Sequence, residues 1–225
     1  MINKQVKDIA AALEGLKDGA TILVGGFGQV GHPVELIEGL IETEARDLTV
    51  VANNAGFKGA PGLPTLMAHK RVRKLICSFP KGSPIFDELF RAGEIELEIV
   101  PQGTLAERIR AAGAGIPAFF TPTSVGTQLG ESKESRRFRG QDHVLEHALH
   151  ADVALIQAWR ADRWGSLMYR GSGQNFNPVM ATAAALTIAQ ADDLVPLGDI
   201  APDAIGTPGI YVDRIVKISS ALNRP

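Results

Sequence analysis

Cysteine is almost missing from this sequence, with Cys77 the only one in 225 residues. That excludes an intrachain disulfide and any cysteine-rich metal site. An excess of either charge sign is missing too. Lysine and arginine total 23 against 25 acidic residues, a net charge of −2, so there is no basic field to hold a phosphate backbone. No apolar run approaches the ~18 residues that a membrane-spanning helix needs. The opening MINKQVKDIAAALEGL mixes charge signs and has no signal-peptide core. The expectation is a soluble, reduced, cytoplasmic protein. No short-period repeat suggests a solenoid, and no composition break looks like a linker, so a single domain over residues 1–225 is expected.

What is present is ordinary globular composition, 45% hydrophobic and 21% charged. A chain this long buries roughly 70% of its unfolded surface. Val6, Ile9, Ala10, Leu13 and Leu16 recur at helical spacing and predict an amphipathic first helix. After the Asp18-Gly19 turn, short apolar runs recur: Thr21–Val24, Leu48–Ala52, Lys74–Ser78 and Leu97–Val100. Helical stretches lie between or after them, near Pro33–Ile41, Pro84–Ala92 and Thr104–Ala112. Strands starting near 21, 48, 74 and 97 are about one βα unit apart. This predicts an α/β fold, a largely parallel open sheet covered by helices. Val153–Trp159, Leu167–Tyr169 and Ile215–Ile218 read as further strands, and Pro178–Gln190 reads as a helix. Thr121–Arg139 is polar throughout and reads as a long functional or mobile loop.

The sharpest local feature is VGGFGQVGHP, Val24 to Pro33, between a predicted strand and a helix. Glycines permit positive φ and close backbone approach, and a helix N-terminus offers unpaired N–H groups to an anion. Gly26-Phe27-Gly28-Gln29-Val30-Gly31 matches the G-x-G-x-x-G form, which keeps an NAD or nucleotide-binding module as an alternative. The acidic residue that would hold a ribose is missing, since the second strand ends in Asn53-Asn54. That pair, and Gln102 past the fourth strand, stand where ligands gather in open parallel sheets. The bland alternative for the asparagines is an Asx turn. His143-Val144-Leu145-Glu146-His147 fits H-x-x-E-H. If helical, it would put His143, Glu146, His147 and His150 on one face. No plainly placed acidic ligand or glycine-rich support follows it, so the expectation is a surface helix without a metal. Cys77 lies inside an apolar strand and is expected to pack rather than react.

Asp18-Gly19, three apolar residues, Gly-Gly-Phe, and then Gly31 and Pro33 together resemble the signature of the family I coenzyme A transferases, in their A subunit. VANNAG, VPQGTLAERIRAAGAGIPAFFTP, ADVALIQAWRADRWGSL, NFNPVMATAA and TPGIYVDRIV extend the resemblance from the first residues to about Lys217. It implies exchange of coenzyme A between succinyl-CoA and a 3-oxo acid through a glutamyl-CoA thioester. The acceptor it implies is 3-oxoadipate, ahead of acetoacetate or a short-chain fatty acid. Coenzyme A is then a substrate, with no permanently bound cofactor. The nucleophilic glutamate is expected on a partner B subunit, in a heterodimer or heterotetramer. Glu131 and Glu146 lack its Glu-Asn-Gly surroundings, so no catalytic residue is assigned here. By the same resemblance Gly25, Gly26, Phe27, Gly28, Gln29, Val30 and Gly31 form the coenzyme A side of the site. Asn53, Asn54 and Gln102 would line the acyl or carboxylate pocket, with Phe27 as a wall. Two stretches depart from the family pattern, Pro122-Thr123-Ser124-Val125-Gly126-Thr127 and Glu131-Ser132-Lys133-Glu134-Ser135, and bear on which acid is accepted.

Overall fold

A computed structural model of the chain describes residues 2–218. Its main sheet is built from β1 (Thr21–Val24), β2 (Leu48–Asn54), β3 (Val72–Phe79), β4 (Glu96–Ile99), β8 (Ala151–Asp162), β10 (Ala184–Val195) and β11 (Arg214–Lys217). Their order is β11-β10-β8-β1-β2-β3-β4, every pair parallel. The short β9 (Leu167–Met168) adds to β8 antiparallel. The strand order reverses between β1 and β8, which makes the crevice beyond their carboxyl ends the topological switch point of the sheet.

Period-two alternation sorts the side chains into two cores. Ile22, Val24, Val50, Ala52, Leu75 and Cys77 face α1 (Ile9–Ala12), α2 (Val34–Glu42), α3 (Leu63–Ala68) and α4 (Pro84–Arg91). Leu23, Val51, Ile76, Ala154 and Ile156 face α5 (Gln102–Gly113) and α6 (Asn177–Ala181). Helices on both faces explain why LTVVANN is buried at every position. Burial also pushes the Cys77 thiol up to about 12, so it packs rather than reacts.

The strand starts near 21, 48, 74 and 97 agree with the structure, but several other expectations give way. The first helix covers only Ile9–Ala12, because Gln5 and Val6 are drawn into strand-like pairing with Ile215. The helix expected over Pro178–Gln190 stops at Ala181, and the rest is β10. Its alanines favour a helix, but the segment runs inside the sheet between β11 and β8, paired with β8 from Ala184 to Val195. The polar loop over 121–139 is partly built into a second, three-stranded antiparallel sheet. It is ordered β5 (Ala118–Thr121), β7 (Gln141–His147), β6 (Ser135–Phe138). Arg139 and Gly140, both at positive φ, close the β6–β7 hairpin. The His143–His147 motif is therefore a strand and not a helix. Alternation sends His143 and His147 to one face and Glu146 to the other. Glu146 is only 3% exposed and is ion-paired with Lys133 from the turn before β6.

Candidate functional site

The glycine segment after β1 is a tight hairpin. Phe27 and Val30 exchange N–H···O bonds of 3.0 Å in both directions around Gly28-Gln29. Gly28 takes φ +63° and Gln29 stays negative, the sign pattern of a type II′ turn with glycine at its first central position. The glycines on either side serve close approach. A Cβ on Gly25 would stand 1.8 Å from Asn177 Oδ1, and one on Gly26 would meet the His32 ring at 2.6 Å. The hairpin lifts Phe27 and Val30 out of the surface, 44% and 46% exposed.

Amide side chains from two other parts of the chain hold this hairpin. Asn175 Oδ1 accepts from Gly26 N–H at 3.1 Å, and Asn175 Nδ2 donates to the Val30 carbonyl at 3.1 Å. Asn177 Nδ2 donates to the Gly31 carbonyl at 3.0 Å, while its Oδ1 takes the Gln157 N–H at 3.0 Å and ties the loop to β8. From β2, Asn54 Nδ2 donates to the Gly28 carbonyl at 3.0 Å, and Asn53 Oδ1 accepts from Gly28 N–H at 3.4 Å. Asn54 Oδ1 also accepts from Gly56 N–H at 2.7 Å, which is an Asx turn. His32 Nε2 lies 3.0 Å from the Gly28 carbonyl. A carbonyl only accepts, so Nε2 carries the proton. Burial lowers the His32 pKa, only partly offset by that bond, and the ring is neutral at pH 7.

Asn53 and Asn54 thus stand at the expected edge but are 4% and 1% exposed, with their side chains engaged on the hairpin. Gln102 is exposed at the first residue of α5, two strand spacings (~10 Å) from the end of β2. The cavity that opens beside the hairpin holds about 130 Å³. Gly28, Gln29 and His32 form one wall, and Ile37, Phe57, Leu63 and Pro64 form the apolar remainder. Phe27 is not among its lining residues. His32, Asn175 and Asn177 carry the loop, yet the sequence alone assigned them no role. Their signal was their place inside VGGFGQVGHP and NFNPVMATAA, and a single asparagine has no periodicity to betray it.

The start of α2 is closed to an anion. Leu36 N–H is taken by Gln190 Oε1 at 2.9 Å, Val34 N–H by the His32 carbonyl, and Glu35 puts a carboxylate in the first turn. A dinucleotide pyrophosphate needs those donors free.

The coenzyme A transferase family model matches residues 6–218. The chain belongs to the coenzyme A transferase family. It is 58% identical, over 98% of its length and 96% of the relative's, to the A subunit of the 3-oxoadipate CoA-transferase of Pseudomonas putida. It is 51% identical to the A subunit of the succinyl-CoA:3-ketoacid coenzyme A transferase of Xanthomonas campestris, over 95% of this chain and 88% of that one. An acyl-CoA transferase of E. coli O157:H7, solved as a thioester complex with CoA, superposes with a TM-score of 0.84 at 21% identity. The match covers 97% of this chain and 50% of that one. The transferase assignment makes this chain an A subunit of the family I type, with a CoA thioester as substrate. No helix among the described residues is long and apolar enough to cross a membrane.

Proposed function

We propose that this A subunit moves coenzyme A from succinyl-CoA to 3-oxoadipate, working with a glutamate-bearing B subunit in the cytoplasm. The observation that carries the half-site reading is the small cavity at the hairpin. At about 130 Å³ it is well below the ~300–1,000 Å³ of a site that encloses a drug-sized ligand. Enclosure would come from a second chain, which fits relatives that are each one subunit of a larger enzyme. Residues 1–225 are taken as one domain of that assembly.

In the proposed cycle, a glutamate carboxylate of the partner attacks the thioester carbonyl and expels the coenzyme A thiolate, forming an acyl-glutamyl anhydride. The thiolate attacks the glutamyl carbonyl, releases succinate and leaves a glutamyl-CoA thioester. The carboxylate of 3-oxoadipate attacks that thioester and the thiolate departs again. The thiolate then attacks the new acyl group, which frees 3-oxoadipyl-CoA and restores the glutamate. Thioester energy is kept throughout, and both intermediates need shielding from water. Gly25–Gly31 would contribute a rigid wall and backbone donors, because the amides of Gln29, Gly31 and His32 have no acceptor among the described residues. Asn53 and Asn54 would act through the hairpin they brace, and Gln102 would reach the carboxylate from the neighbouring edge. Acetoacetate or a short fatty acid is the second choice of acceptor. A nucleotide-binding module is disfavoured by the Gln190 cap and Glu35 at the start of α2.

The test is a transfer assay from succinyl-CoA on the chain alone and mixed with a B subunit, with 3-oxoadipate, acetoacetate and butyrate as competing acceptors. Turnover only in the mixture, ranked toward 3-oxoadipate, is the expected result. Full activity of the isolated chain would falsify the claim that the nucleophile is supplied in trans.

A further inference from the structure

Beyond the end of β1, where Val24 is the last residue paired with Leu155, β8 runs on past the hairpin, paired with β10 and β9 but no longer with β1. Its Gln157 N–H is bonded to Asn177, which also holds Gly31. Trp159 and Arg160 follow two and three residues further, ~7–10 Å along the strand. The Arg160 guanidinium carbon lies over the Trp159 ring, 4.2 Å from its centre. A second cation is there too, with Arg170 at 5.7 Å from the same ring. Arg170 directly precedes the turn Gly171–Gly173, whose Gly173 carbonyl accepts from the same Asn177 amide. One asparagine therefore fixes both the hairpin and the segment that carries Arg170.

Two guanidinium groups on one indole concentrate positive charge at this end of β8. Among the described residues neither makes an ion pair or a side-chain hydrogen bond, and Arg160 Nε is out of reach of water. The nearby carboxylates do not fill the gap. Asp162 accepts from the Trp164 and Ser166 amides, Asp192 from Gln157, and Asp193, the register partner of Arg160 on β10, forms no ion pair with it. A desolvated guanidinium nitrogen without a partner is costly, and planar guanidinium matches a carboxylate through two parallel hydrogen bonds. Stacking on tryptophan holds the fork in place before a ligand arrives.

We propose that Arg160 and Arg170, held on Trp159, form the subsite for the remote carboxylate of a dicarboxylic acyl group, the end of the acid that does not react. This rests on the transferase reading above and extends it to acceptor choice. The phosphates of coenzyme A share the same chemistry, and the test separates the two sources.

In the assembled enzyme, Arg160→Gln and the exposed Arg170→Gln are assayed for kcat/KM toward 3-oxoadipate and toward acetoacetate. Losing a charge-assisted hydrogen bond predicts a fall of about 10- to 100-fold for 3-oxoadipate, with acetoacetate turnover retained. An unchanged ratio between the two acceptors overturns the proposal, as does an equal loss for both. A raised KM for acetoacetyl-CoA as donor, with the acceptor ratio intact, assigns the arginines to the phosphates and also overturns it. A mixture with no transfer at all defeats the transferase reading, and binding to the full chain then decides the subsite. Trp159 fluorescence is followed in a Trp164→Phe background while adipate, butyrate or coenzyme A is added. A saturable response to adipate that butyrate lacks and Arg160→Gln abolishes upholds the subsite, and no such response ends it.

Discussion

Gly25 and Gly28 differ in what they do for the hairpin, and the difference can be measured. At Gly25 an added methyl would overlap Asn177 Oδ1, while at Gly28 it meets nothing within 4 Å and suffers only from φ +63°. Gly28→Ala should therefore cost about 1–2 kcal/mol through backbone strain alone. Gly25→Ala should exceed about 3 kcal/mol, since overpacking also breaks the Asn177 bonds. Urea titrations of both variants check the order, and equal costs would contradict the packing argument. His32 makes a pH prediction. Its folded pKa lies below its unfolded value near 6.5, so the unfolded chain takes up the proton first as pH falls. The contribution of neutral His32 is complete above pH 6.5 and is lost below it, at up to ~1.4 kcal/mol per pH unit for one proton. His32→Gln should flatten the urea midpoint between pH 7 and 5.5, compared with wild type.

Among the elements, β7 and the turn before β6 are joined by Lys133 and Glu146, a pair whose carboxylate is buried. Lys133→Met leaves that carboxylate alone and should destabilise the small sheet by about 3–5 kcal/mol. Lys133→Met with Glu146→Leu should recover most of the loss. Hydrogen exchange of the β5–β7 amides would show whether the effect stays in that sheet. The same elements explain what the sequence could and could not say. β1 and β2 were legible because burial on both faces makes each a nearly uniform apolar run, and β3 and β4, with exposed positions, were legible from their short apolar stretches at βα spacing. β10 was not, since ALTIAQADD carries alanine and charge in a pattern a helix would also accept, and only its pairing with β8 decides the matter. The β6–β7 hairpin was hidden for a related reason: SRRF is exposed at all four positions and has no apolar face to read. At the site the glycines were legible, since their conformations need glycine. Asn53 and Asn54 were found by position, but which way their amides would be spent depends on a loop 25 residues away.

For the whole molecule, the arrangement places the proposed site residues that follow or end β1, β2, β4 and β8 at one end of a single sheet. Asn54→Ala tests whether bracing at that end controls turnover. Transfer by the assembled enzyme should slow, while association with the B subunit, followed by sedimentation, stays intact. Loss of association would show that the hairpin serves the interface instead. The bonds that shape the hairpin also bear on the order in which the chain is made. Gly26 is held by a residue 149 positions later and Gly31 by one 146 later. Contacts this distant in sequence form late and slow folding. On the ribosome, which releases the N-terminal part first, the β1–β4 half can pack while its glycine hairpin still lacks two of its clamps. That edge of the sheet acquires its final form only after Asn177 has emerged.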